Sequence, residues 1–92
     1  MNKARAHITI TGMVQGVFFR SYTKEMAREL NLTGWVKNSW DGSVEVLLEG
    51  DRDAIDKMTS WFYKGPPSAS VENVEIEWKK PTGEFDTFYV NY

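Results

Sequence analysis

The sequence predicts an α+β sandwich, a single antiparallel sheet with two helices on one face, and three observations predict it. Apolar residues alternate at a period of two in five stretches and recur at helical spacing in two others. Their order is strand, helix, strand, strand, helix, strand, strand, which separates a pair of helices from a mostly local set of strands. Asp41-Gly42, a tight-turn signal between the second and third strands, joins those two as an antiparallel hairpin.

Each element has its own local reason. From His7 to Val14, Ile8 and Ile10 fall on one side and His7, Thr9 and Thr11 on the other, as in a half-buried strand. After the Val14–Arg20 loop, Tyr22, Met26, Ala27 and Leu30 form an apolar helical stripe while Lys24, Glu25, Arg28 and Glu29 face away. Asn31 falls where a helix ends in a left-handed residue, a conformation asparagine tolerates. Thr33–Asn38 reads as the second strand and Ser43–Glu49 as the third, with Val44, Val46 and Leu48 on one face. Asp51 or Asp53 is placed to cap a second helix whose apolar face is Ala54, Ile55, Met58, Trp61 and Phe62, and Gly65-Pro66-Pro67 stops it. Val74, Ile76 and Trp78 alternate in a fourth strand, Pro81-Thr82-Gly83 turns, and Phe88, Val90 and Tyr92 alternate in a last one. With no repeat, low-complexity segment or linker, residues 1–92 are expected to form one domain of the ferredoxin-like split βαβ kind, βαββαβ plus an extra strand.

Composition narrows the function. The hydrophobic fraction of 41% supports a modest core, and a net charge of −2 supplies no basic field for nucleic acid or an anionic membrane. An RNA-stacking sheet built on Trp35, Trp40, Trp78, Phe85, Tyr89 and Tyr92 would need an RNP-like segment that is absent. The lack of cysteine removes disulfides, thiolate nucleophiles and Cys-based zinc sites. The lone His7 makes neither a metal cage nor a triad, and Asp51 and Asp53 fit helix capping better than a cation loop. No signal-peptide or membrane-span pattern occurs, so the expectation is a soluble cytoplasmic protein, and a monomer is expected alongside it.

What remains is Gly12–Arg20. A glycine-bearing turn between strand and helix can point successive backbone N–H groups inward, the helix adds its positive end, and Arg20 can grip two phosphate oxygens with its planar fork. Cysteine-dependent phosphatases open a similar loop with a thiolate where this chain has Val14, so a phosphate held here would meet no nucleophile of the loop's own and water would have to attack. On shape alone, Arg20 could equally be a solvated charge at a helix start. Asn38 could be simple turn chemistry; its uncharged amide, both donor and acceptor, could also hold a water beside a phosphate.

Val14-Gln15-Gly16-Val17-Phe18-Phe19-Arg20, Gly34-Trp35-Val36-Lys37-Asn38, Asp41-Gly42-Ser43-Val44-Glu45 and Gly65-Pro66-Pro67-Ser68-Ala69-Ser70-Val71 together closely resemble the ordered signature segments of the acylphosphatase family. The resemblance implies hydrolysis of a carboxyl–phosphate anhydride to carboxylate and inorganic phosphate, without metal or cofactor. It implies that the backbone of Gln15, Gly16, Val17, Phe18, Phe19 and Arg20 holds the phosphate, with Arg20 and Asn38 catalytic. Phe18 and Asn31 stand where many members have glycine. Retention of both Arg20 and Asn38 favours the enzyme over a non-catalytic anion-binding or interaction domain of the same fold.

Overall fold

The computed structural model describes residues 2–91. In chain order the elements are β1 (Lys3–Met13), α1 (Phe19–Glu29), β2 (Thr33–Asn38), β3 (Val44–Asp51), α2 (Arg52–Lys64), β4 (Ser70–Lys79) and β5 (Phe88–Val90). All seven predicted elements are present; Tyr92, read as the end of the last strand, lies outside the described residues.

The strands form one sheet in the order β4-β1-β3-β2-β5. Three of its ladders are antiparallel, as expected. The fourth is not: β5 runs parallel to β2, through Gly34–Phe88, Trp35–Tyr89 and Val36–Val90, so the sheet is mixed. Leaving β4 at one edge and joining β2 at the other requires a crossover along one end of the sheet, and local alternation carries no information about that direction.

Register explains the core. One row across the sheet is Ile76, Ile8, Val46, Val36 and Val90, and the next includes Trp78, Ala6, Leu48, Gly34 and Phe88. Ala27 of α1 and Ile55, Met58 and Phe62 of α2 belong to the same buried cluster as these rows, which puts both helices over the same face. Phe19 stacks on Phe62 at 6.0 Å between ring centroids and tilts against Trp61 at 5.5 Å, locking the start of α1 to α2. Large aromatic contacts of this kind add to simple area burial.

The helix ends follow their sequence signals in part. Asn31 is left-handed at φ 58°, and Leu32 N–H reaches Ala27 O at 2.8 Å while Asn31 N–H reaches Arg28 O at 3.1 Å, a Schellman closure. Asp51 does occupy the N-cap of α2, but it makes no side-chain cap hydrogen bond; its carboxylate lies 3.2 Å from Lys3 Nζ instead. Neither helix is long and apolar enough to cross a membrane among the described residues.

On the other face, Glu49 organises the loop after β4. Its carboxylate accepts Thr82 N–H and Gly83 N–H at 2.9 Å each, and pairs with Arg5 at 2.5 Å on the neighbouring strand. Burial opposes ionisation of Glu49, yet the hydrogen bonds from Thr82, Arg5 and Gly83 together outweigh it and pull its pKa from 4.5 to about 2. A folded-state value below the unfolded one gives stability that is complete above about pH 4.5 and lost as the pH falls towards 2. Glu49→Gln should therefore lower the Tm at pH 7 by roughly 5–10 °C, corresponding to about 1–2 kcal/mol, and thermal melts of the two proteins should converge by pH 2. A gap that stays constant down to pH 2 would separate the stabilisation from the Glu49 charge.

Candidate active site

The loop between β1 and α1 is shaped by two left-handed residues, Gly16 at φ 74° and Phe18 at φ 63°, ψ 20°. Such residues turn neighbouring N–H groups to a common side, the geometry of an anion-binding nest. Glycine suits the first position because it takes positive φ without a Cβ clash. At the second, Phe18 serves as the N-cap of α1 and offers no side-chain cap hydrogen bond, and no acidic residue occupies the first turn. The opening α1 bond runs from Tyr22 N–H to Phe18 O at 3.1 Å, so the N–H groups of Phe19, Arg20 and Ser21 precede any helical acceptor. They and the positive end of the helix dipole face a site suited to an anion. Phe19, only 2% exposed, anchors this turn in the core and leaves the adjacent Arg20 partly exposed.

Asn38 arrives by strand register. It ends β2 opposite Val44, and alternation puts it on the same, helix-covered face as Gly34 and Val36. Val44 is fully buried, so Asn38 stands where the core gives way to the loop. The turn that follows is fixed by Asp41, whose Oδ1 accepts the Ser43 N–H at 3.0 Å and the Ser43 hydroxyl at 2.7 Å.

A further link joins these two parts. Gln15 Nε2 donates to Ser39 O at 2.6 Å and to Ser43 O at 2.8 Å, bonding the loop to both ends of the turn beside Asn38. The sequence reading assigned Gln15 only a backbone role. Its side-chain partners lie 24 and 28 residues away and are main-chain carbonyls, so no residue type in the sequence marks them.

Loop, helix and strand enclose a cleft of about 200 Å³. Of the predicted residues, Gly16, Phe18, Phe19, Arg20 and Asn38 line it, joined by Val14, Ser21 and Val90. Val17 instead packs against the core, and Gln15 is directed to the hairpin turn. Val90 was read only as a strand residue; the parallel placement of β5 beside β2 brings it to the cleft. Among the described residues Arg20 is the one lining residue with a charge. These residues offer the cleft a cation, backbone donors and a neutral amide.

Other sequence candidates lie elsewhere. His7 is on the opposite face of β1, half-buried, with Nε2 3.0 Å from Glu45 and its ring edge-on to Trp35 at 6.2 Å. The Ser39 hydroxyl, 2.5 Å from Glu45 Oε2, holds that carboxyl below its usual range against the opposing effect of burial, with His7 contributing in the same direction. Among the described residues no group of three or more His, Cys, Asp and Glu is arranged to hold a metal ion. The aromatics share no single face: Trp35 and Tyr89 pair on one side of the sheet, Trp78 lies on the other, and Trp40 projects from the hairpin turn at 99% exposure.

Comparison with known proteins agrees with this geometry. A profile of the acylphosphatase family matches residues 6–90. An acylphosphatase from Pelotomaculum thermopropionicum is 48% identical over 92 residues, covering all of both chains. Another, from Chloroflexus aurantiacus, is 50% identical over 90 residues and covers 98% of each. The structure of an acylphosphatase from Coxiella burnetii superposes with a TM-score of 0.91 at 44% identity, over 98% of this chain and 94% of the other. A match that spans the whole fold, together with a loop, arginine and strand-end asparagine gathered at one cleft, places this chain in the acylphosphatase family.

Proposed function

We propose that this acylphosphatase holds the phosphoryl group of an acyl phosphate on the backbone N–H groups of Gln15 to Arg20, with the Arg20 guanidinium across its oxygens, while Asn38 aligns the attacking water. The observation that carries the reading is that Arg20 and Asn38, from separate elements, line the same cleft as the start of α1. Water forms a new P–O bond as the bond between phosphorus and the acyl oxygen breaks, and the electron pair leaves with the carboxylate. The water's proton passes to a phosphate oxygen, giving inorganic phosphate.

Leaving-group chemistry supports the substrate class. A carboxylic acid has a pKa of about 4, so its conjugate base departs without a proton donor, whereas an alkoxide usually needs one. Among the described residues, Arg20 is the cleft's one charged lining residue, and none of the lining residues is a carboxylic acid. Positioning and fixed donors supply the rate. The proposal has the chain act as a cytoplasmic monomer without metal or cofactor.

Phosphate release from acetyl phosphate and benzoyl phosphate, with an alkyl monoester such as glycerol phosphate alongside and EDTA present, tests this reading. Acyl-phosphate hydrolysis should persist in EDTA and exceed monoester hydrolysis by at least about 10²-fold, the scale of a missing general acid. Comparable monoester turnover, or loss of all activity in EDTA, would overturn it.

A further inference from the structure

We infer that Phe18 contacts the acyl group and makes this enzyme favour aromatic acyl phosphates over acetyl phosphate, an inference that rests on the cleft being the phosphate site. Phe18 combines three properties that rarely coincide. It is left-handed at φ 63°, ψ 20°, a conformation glycine adopts freely and a bulky side chain resists. Its side chain is not held there by core packing, since the residue is 76% exposed while neighbouring Phe19 is 2% exposed. Yet it lines the cleft. Backbone strain kept at a site wall without burial in return is a signal of function.

The division of the cleft indicates what that function is. The phosphoryl end is met by N–H donors and Arg20, which fix an anion and take no account of the group attached to it. Apolar surface in the lining comes from Val14, Phe18, Phe19 and Val90, and of these Phe18 is the most exposed. Its ring is therefore the surface most open to the part of a substrate that extends beyond the phosphate. A methyl group offers that ring little area, whereas a phenyl group can pack against it edge-on or offset and removes more apolar surface from water.

The test compares kcat/KM for benzoyl phosphate and acetyl phosphate in the parent enzyme, Phe18→Gly and Phe18→Asn. Glycine relaxes the left-handed position and asparagine tolerates it, so both variants spare the fold while removing the ring. Any change in the backbone donors affects both substrates and cancels in their ratio. The benzoyl-to-acetyl ratio should fall by about 3–10-fold in both variants, the scale of one aromatic contact. An unchanged ratio, or equal losses accompanied by weaker phosphate inhibition, overturns the inference and makes Phe18 part of the cradle's shape alone. Arg20→Ala serves as the companion: full turnover in that variant would overturn the phosphate-site reading and this inference with it, whereas loss of turnover there and an unchanged ratio at Phe18 would overturn this inference alone.

Discussion

Arg20→Ala is expected to reduce acyl-phosphate turnover by about 10³-fold or more, the scale on which arginines act at transferring phosphoryl groups. Among the described residues the guanidinium is the one charge lining the cleft, and it can donate two parallel hydrogen bonds to phosphate oxygens, which backbone N–H groups cannot replace. The fold should survive. An arginine in the first turn of a helix opposes the dipole rather than complementing it, and the start of α1 is anchored by the buried ring of Phe19 against Phe62. Far-UV circular dichroism should therefore match the parent protein. Arg20→Lys sharpens the test, since it retains the charge but loses the planar fork and should recover only part of the lost activity. Full activity in Arg20→Ala would remove this residue from the mechanism.

Asn38→Ala is expected to lower kcat by about 10²-fold or more while changing competitive inhibition by phosphate much less. A positioned, uncharged donor that acts on the attacking water contributes in the transition state rather than to ground-state phosphate binding. The backbone should tolerate the change, because Asn38 ends its strand and its pairing with Val44 is made by the main chain. Steady-state kinetics with phosphate as inhibitor separates the roles. Equal losses in kcat and in phosphate affinity would make Asn38 a phosphate ligand instead of the water's guide.

The parts of this account that were legible in the sequence share a physical origin. Alternation and helical spacing are local, and they located every element and set the face of Asn38 through Gly34 and Val36. Asn31 could be read as a left-handed helix end because few residue types accept that conformation, and it stands at φ 58°. The parallel direction of β5 was not legible, since three residues carry little pattern and their partner strand is chosen by long-range packing. That direction matters to the site because it delivers Val90. The Gln15 bridge escaped for a related reason: its acceptors are carbonyls, which every residue has. The partners of Glu49 were not legible either, since only the folded chain shows the loop at Thr82 and Gly83 closing over its carboxylate.

Amide chemical shifts of the 15N-labelled enzyme during titration with inorganic phosphate test the central claim most directly. The two helix N-termini provide an internal comparison, because α1 has no acidic residue in its first turn, whereas α2 has Asp51 at its N-cap and Asp53 in its first turn. Phosphate should move the Gln15–Ser21 amides most, shift the Asn38 side-chain amide with them, and saturate at the concentration that inhibits turnover by half at low substrate. Largest shifts at the start of α2 or on the outer face of the sheet, with Gln15–Ser21 unmoved at inhibitory phosphate, would contradict the account.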